Sequence, residues 1–353
     1  KKTKNKKKLK AGRFMQELNV KTKSPAAITA ALKKIKEMIS TGTVAKDTAI
    51  HLILEPGSYR ETVRYNLSNP LAIESVPGTK TEDCVILADN CEAYNKGQQN
   101  RAVFSFGPNA TNVSLKNFTI SNTHVKTSEE LYSAADSAEA LAWNNTTGTL
   151  FCEGIKLEGH QNTLFVKGFS WFLNSNISGD VDFIYGEPDT CLFENCAIEV
   201  IADNRGDFDG FAINSHAIAE KTGFVFTNCR FLGEKRKKNF VYACRTDGAG
   251  NSESKKDWDS IAFVNCIFSD TFAPELLWDD DMNLEVYPRG NAKCGIREYN
   301  SKIALKGGKV AEADTSKRNI KSYTLTEDDY FNGYASRYLI LHDTPFAELL
   351  SKE

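Results

Sequence analysis

From residue 48 to about residue 300 the chain is a succession of short apolar runs separated by polar breaks. AIHLILE, LAIESV, CVILAD, AVFSFG, NVSLKNFTISN, LFCEGIKLEG, TLFVKG, CLFENCAIEVIA, GFVFTNCRFLG and IAFVNCIFSD alternate apolar with polar residues or are apolar throughout, with Gly, Asn or Asp between them. Such runs predict strands. No helix-length amphipathic stretch interrupts them, which argues against strand–helix alternation. Residues 24–39 (SPAAITAALKKIKEMI) read differently: Ser24 as N-cap, Pro25 at the first helical position and apolar residues at helical spacing predict one helix. Beyond residue 318, LTEDDYFNGY has the look of a helix start. RYLILHDTPFAELLSKE reads as a strand or loop followed by a short helix, packed along the side of the strand region or capping its end.

One recurrence goes beyond generic strands. Glu194-Asn195-Cys196, Thr227-Asn228-Cys229 and Val264-Asn265-Cys266 each follow an aromatic-containing strand and precede another, at spacings of 33 and 37 residues. A strand–Asn–strand unit repeated with insertions predicts a parallel β-helix, with Asn stacked at a bend and Cys in small interior slots. A Greek-key sandwich is the alternative, but it would show more hairpin turns over this length. The expected organisation is a basic, flexible segment 1–23 followed by a single domain, 24–353, with coils over about 48–300.

Composition narrows the class. With 44 Lys+Arg against 46 Asp+Glu, the 353-residue chain has a formal net charge of −2, unlike the strongly basic face of a nucleic-acid binder. Seven of the first ten residues are Lys, which reads as a solvated tail or as a surface-binding arm. No apolar run approaches the roughly 20 residues of a membrane span. Nine cysteines leave at least one unpaired within the chain, and none forms C-x-x-C, so no metal site is expected. The acidic loop 203–210 (DNRGDFDG) and the WDDD run at 278–281 lack the ligand spacing of a calcium loop and read as solvated turns.

Residues 159–196 hold the sharpest chemistry. Asp182 stands between Val181 and Phe183, flanked by Gly179 and Gly186. A carboxylate in so apolar a strand must be paired, hydrogen-bonded or functional. Gln161 and Asn162 lie about twenty residues earlier, close to one short coil, and Arg245 ends the strand FVYACR. A carboxylate, carboxamides and an Arg on one wall suit acyl transfer, with a nucleophile, oxyanion donors and an orienting cation. A structural Asp–Arg pair explains the same residues.

The element Gly179-Asp180-Val181-Asp182-Phe183-Ile184-Tyr185-Gly186 resembles the G-x-V-D-F-I-F-G signature of pectin methylesterases. Glu55-Pro56-Gly57-Ser58-Tyr59-Arg60-Glu61 resembles that family's G-x-Y-x-E, and Gly159-His160-Gln161-Asn162-Thr163-Leu164-Phe165 its G-Y-Q-D-T-L-Y. Phe193-Glu194-Asn195-Cys196 resembles F-Q-N-C, and Tyr242-Ala243-Cys244-Arg245 resembles Y-L-G-R. The resemblance runs from about residue 45 to 340. It implies a right-handed parallel β-helix that hydrolyses methyl esters of galacturonic acid in pectin, without metal or cofactor. By position, Asp182 is then the nucleophile, Gln161 an oxyanion donor and Arg245 the orienting cation.

Two departures stand at the heart of the site. Asn162 occupies the place of the family's acid/base Asp, and Glu139, in Glu139-Ala140-Leu141-Ala142-Trp143, that of an oxyanion Gln. Changes in opposite directions suggest exchanged roles: Asn162 donates to the oxyanion, and Glu139, starting protonated in a partly dry site near Asp182, becomes the acid/base. A degenerate site that binds sugar without turnover is the alternative, and an esterase for another ester is a third.

Arg245 is followed by Thr246-Asp247 rather than the family's Pro-Trp, so Asp247 is expected at the cleft. Phe165, Phe183, Tyr185, Trp258 and Trp278 are the expected substrate contacts, with Trp143 and Trp171 as further stacking candidates that equally suit a core. The expected partner is a pectic polysaccharide or oligogalacturonide, with no nucleic acid, no membrane span and a monomeric chain. A polymer substrate implies secretion or the cell surface, and a cytoplasmic enzyme for imported oligosaccharides is the alternative.

Overall fold

A computed structural model describes residues 16–20, 25–45, 47–218, 220–246, 257–279 and 286–350. Nearly every strand pairs in parallel with the strands one coil before and one coil after it. The strands fall into a 17-stranded sheet, a 10-stranded sheet and one short pair. This is a parallel β-helix, right-handed as parallel crossovers are. The large sheet comprises two faces of the prism, because Leu164–Leu173 and Val181–Glu194 run from one face into the next. The register between them shifts at Gly168, opposite Pro188, where φ is 58°; Gly186, earlier on the second strand, has φ of 135°. A Cβ on Gly186 would lie 2.0 Å from the Val166 carbonyl oxygen, so only glycine fits there.

The recurring Asn is a conformational device. Asn117, Asn174, Asn195, Asn228, Asn265 and Asn300 all have φ between 50° and 65°, the left-handed region that Asn tolerates best after Gly. The N–H of each of the first five donates to a carbonyl of the following coil, as from Asn195 to Thr227 at 3.0 Å and from Asn228 to Val264 at 3.0 Å. Inside the bend, Cys196, Cys229 and Cys266 are buried, with Sγ 3.4 Å from the carbonyl oxygens of Phe172, Phe193 and Phe226 respectively. All nine cysteines are buried and unbridged. Phe172, Phe193, Phe226 and Phe263 stand in register on successive coils, with ring centroids 4.8, 4.6 and 5.8 Å apart. Stacked identical side chains are what a solenoid interior buries.

Both ends of the chain depart somewhat from expectation. Gln16–Val20, inside the segment expected to be flexible, is a strand paired in parallel with Ile50–Leu54. The rest of the Lys-rich start lies outside the described residues. The first helix spans Ala27–Ser40 with Ala26 at its cap, so Ser24 is not the N-cap. Its cap comes from far along the chain, since Glu61 accepts from the N–H groups of Ile28 and Thr29 at 3.0 and 2.8 Å. A carboxylate there satisfies two orphan donors and meets the positive end of the helix dipole. At the other end, short helices Glu327–Gly333, Arg337–Leu341 and Ala347–Leu350 pack against the outward row Trp171, Leu192, Val225 and Ala262. These strands are apolar on both faces because the tail covers them. No helix among the described residues is long and apolar enough to cross a membrane.

Candidate active site

The site grows out of one register row. On the first face of the prism, Arg64, Ser105, Ala142, Phe165, Tyr185, Asn214, Arg245 and Trp278 are aligned partners on successive strands. Their neighbours Leu141, Leu164, Ile184, Ile213, Cys244 and Leu277 form the adjacent inward row of the core. Four expected site residues thus share one register row: Phe165, Tyr185 and Arg245 on its outward side, and Trp278 at the next register position. Phe165 and Tyr185 are in contact, with centroids 5.1 Å apart.

Asp182 reaches this face through a distortion. Val181 pairs with Phe211 and Ile184 with Ile213, so two residues, Asp182 and Phe183, oppose one. Asp182 takes φ 45° at this bulge. Bulges re-aim side chains in this way, and here Phe183 goes fully into the core while Asp182 stays at the surface of the sheet. Phe183 is therefore a core residue and not a substrate contact. Asn162 has the same backbone twist, φ 68°. Gln161 pairs with Val181, and Leu164 with Ile184, which sets Asn162 beside Asp182 on adjacent coils.

Arg245 donates from Nη1 to Oδ2 of Asp182 at 3.0 Å. Its guanidinium lies 5.2 Å from the Phe211 ring and 5.9 Å from the Tyr132 ring, which fixes its plane. Gln161 is buried beside them. Its Nε2 donates to the Ser133 carbonyl at 3.0 Å and contacts Ser137 Oγ at 3.4 Å. Asp182, Arg245, Gln161 and Asn162 are thus brought together on neighbouring coils.

Glu139 is placed differently from what an acid/base needs. It is fully buried. Arg101 grips it with Nε to Oε2 at 2.7 Å and Nη2 to Oε1 at 2.6 Å, and the Tyr185 hydroxyl donates to Oε1. Arg101 also meets Glu92 at 2.6 Å and Tyr185 at 3.1 Å. A carboxylate held by a bidentate guanidinium is committed as an ion pair. Burial, and then the Glu139 charge, push the Tyr185 phenol well above its ordinary range.

The remaining expectations divide. Trp143 is in the core, and Trp171 lies under the C-terminal helices on another face, with Phe346 against it. Neither is a stacking platform. Trp258 is partly exposed and packs edge-on to Tyr287. Asp247 lies outside the described residues, and of the Trp278 side chain nothing is described. The acidic loop is no solvated turn: Asp203 binds Lys126 at 2.7 Å and Arg205 at 2.8 Å, and Asp207 accepts from the N–H groups of Lys237 and Lys238. Sequence reading missed Arg101, Tyr132, Phe211 and Lys126, whose roles depend on pairings across tens of residues.

A profile of the pectinesterase family matches residues 23–318. The chain belongs to the pectinesterase family. Among curated relatives it is 26% identical to putative pectinesterase 14 of Arabidopsis thaliana over 58% of this chain and 59% of that protein. It is 23% identical to probable pectinesterase A of Aspergillus flavus over 85% of each. Its match to pectinesterase 5 of Arabidopsis covers 26% of that protein, so the chain spans only part of some relatives. The solved pectin methylesterase of Yersinia enterocolitica superposes with a TM-score of 0.65 at 21% identity, over 90% of this chain and 99% of that one. A pectin methylesterase in complex with a hexasaccharide gives 0.63 at 20% identity, over 88% and 92%. This member of the family shares the fold of those solved structures over most of its length.

Proposed function

We propose that this pectinesterase hydrolyses galacturonic acid methyl esters of pectin or pectic oligosaccharides, releasing methanol, with Asp182 as nucleophile. The observation that carries the reading is the Asp182–Arg245 contact at 3.0 Å on the outward face. There Arg245 directs the carboxylate by a charge-assisted hydrogen bond. Attack on the ester carbonyl yields a tetrahedral oxyanion, toward which Gln161 and Asn162 supply amide N–H groups. For this, Gln161 must release Ser133 and turn its NH2 to the cleft. Collapse of the oxyanion breaks the C–OCH3 bond, expelling methoxide and leaving an acyl-Asp182 anhydride. Water then cleaves the anhydride and restores Asp182.

Protonation of the leaving methoxide distinguishes two readings. The role exchange makes Glu139 the donor, and it requires Glu139 to leave Arg101. The second reading, a weak or silent sugar-binding relative, is favoured by the ion pair of Glu139 with Arg101 and by Asn162 at the acid/base position. Phe165 and Tyr185, on the row that carries Arg245, together with Trp258, Trp278 and, two residues after Arg245 in sequence, Asp247, are the proposed sugar contacts. We place the enzyme outside the cell, where its polymer lies, acting as a monomer without metal or cofactor.

Methanol release from highly methylated pectin, with Asp182→Asn as control, tests the reading. Release that disappears in the control supports it. No release from folded protein at pH 5–9, together with retained oligogalacturonide binding, establishes the silent relative.

A further inference from the structure

Behind the cleft lies a buried charge network that the ester chemistry does not use. The ammonium of Lys126, with no exposed side-chain surface, sits 2.9 Å from Asp180 Oδ1 and 2.7 Å from Asp203 Oδ2, both also buried. Asp180 stands two residues before the nucleophile. Its other oxygen takes His160 Nδ1 at 2.9 Å, and its backbone is pinned on both sides, N–H to the His160 carbonyl and C=O from the Phe211 N–H, each at 3.1 Å. His160 in turn immediately precedes Gln161. Asp203 binds Arg205, which donates to the carbonyls of Ser128 and Glu130 at 2.8 and 3.2 Å.

Lys126 itself opens the loop that carries Tyr132, Ser133 and Ser137. That loop supplies the ring against Arg245 and the two oxygens that hold Gln161. Three segments that never pair as strands therefore meet at one ammonium: the loop over Arg245, the entry to the Asp182 bulge, and the loop following Val200. A buried lysine between two carboxylates costs desolvation of all three charges. The coil bends themselves are closed by Asn in the left-handed region and by backbone bonds between coils, not by this ammonium.

We propose that Lys126 is a positioning residue of the cleft: shared between Asp180 and Asp203, it fixes the Tyr132 loop against the Asp182 coil, and so fixes Arg245 and Gln161 relative to the nucleophile. This rests on the esterase reading for its kinetic test but not for its structural one. Lys126→Met alone leaves two buried carboxylates unpaired and endangers folding. The balanced variant Lys126→Met/Asp203→Asn removes one charge of each sign and is the working test, with His160→Gln as a milder second probe.

Expected for the balanced variant is a thermal midpoint close to the parent's, kcat for methanol release lower by about 100-fold, the scale of a misplacement of about 1 Å, and KM within about threefold. His160→Gln should lower kcat by less, again with KM held. A folded balanced variant with kcat within about threefold of the parent overturns the proposal, as does a fall confined to KM. A crystal structure of the variant decides independently of activity: loss of the Tyr132–Arg245 packing or of the Gln161–Ser133 bond supports the proposal, and retention of both overturns it. A parent without methanol release fails the esterase reading alone and leaves the structural test to decide.

Discussion

Asn162 and Asp182 occupy one position on adjacent coils, side by side and both in the left-handed region at φ 68° and 45°. An acid/base at the first place and a nucleophile at the second would face one ester, and here the first cannot carry a proton. Asn162→Asp is near-isosteric and keeps a residue that tolerates this φ. It should raise kcat by about 100-fold, the lower range for a well-placed general acid/base, and bring a basic limb to the pH profile. Methanol release measured from pH 5 to 9 checks it, and an unchanged kcat would show that the proton comes from elsewhere.

Arg245 carries both a charge and a plane. Its guanidinium lies against Phe211 and Tyr132 while Nη1 reaches Asp182. Arg245→Lys keeps the charge but loses the stacked plane. Turnover should fall by at least about tenfold while the thermal midpoint moves little, because the pair is not deeply buried. Equal activity in the lysine variant would reduce the role of Arg245 to simple charge.

Glu139 separates the two accounts of the altered site. If it holds Arg101 in place, Glu139→Gln leaves a buried guanidinium with less compensation and costs about 3 kcal/mol, read as a lower urea midpoint. Turnover then falls only as far as Arg101 and Tyr185 shift. If it is the acid/base, turnover vanishes at unchanged stability. The bidentate geometry at 2.6 and 2.7 Å predicts the first outcome.

The parallel β-helix, the Asn recurring at the bends, the interior cysteines and the placement of Asp182 beside Arg245 were legible because each follows from local pattern. Asp182 advertised itself as a carboxylate in an apolar run, and the N-C recurrence marked the coil period. What stayed hidden is what depends on which residues meet. Phe183 and Tyr185 look alike in sequence, yet the bulge at Asp182 sends one into the core and leaves the other at the face. Glu61 caps a helix more than thirty residues earlier, which no local signal announces. Glu139 read as a free acid because Arg101, 38 residues before it, belongs to no recognisable motif.

The cap makes a prediction of its own. Glu61→Ala removes two charge-assisted bonds from the first turn of Ala27–Ser40. It should cost about 1–2 kcal/mol and leave methanol release untouched, since this helix contributes nothing to the row of Asp182. Denaturant unfolding with a parallel activity assay checks both halves. A loss of activity in folded protein would reveal a coupling between the N-terminal end and the cleft.

Acid stability follows from the network behind the cleft. Burial alone would raise the Asp203 carboxyl, but bonds from Arg205 and Lys126 outweigh it and hold the group well below its ordinary value of 3.8. Asp136 is likewise lowered, against its burial, by the N–H groups of Thr127 and Ser128 and by His124. A carboxyl depressed in the folded state binds its proton less readily there than in the unfolded chain. Its contribution is therefore complete above the ordinary value and drains as pH falls below it toward the folded value. Within that window each such group steepens the dependence by up to about 1.4 kcal/mol per pH unit. Stability should accordingly be flat in these groups from pH 7 to about 5 and fall steeply below about 4. Lys126→Met/Asp203→Asn should remove the Asp203 share of that slope and keep the share of Asp136. Urea unfolding at pH 3, 4, 5 and 7 for the parent and this variant measures the difference, and parallel slopes in the two proteins would show that Asp203 titrates alike folded and unfolded.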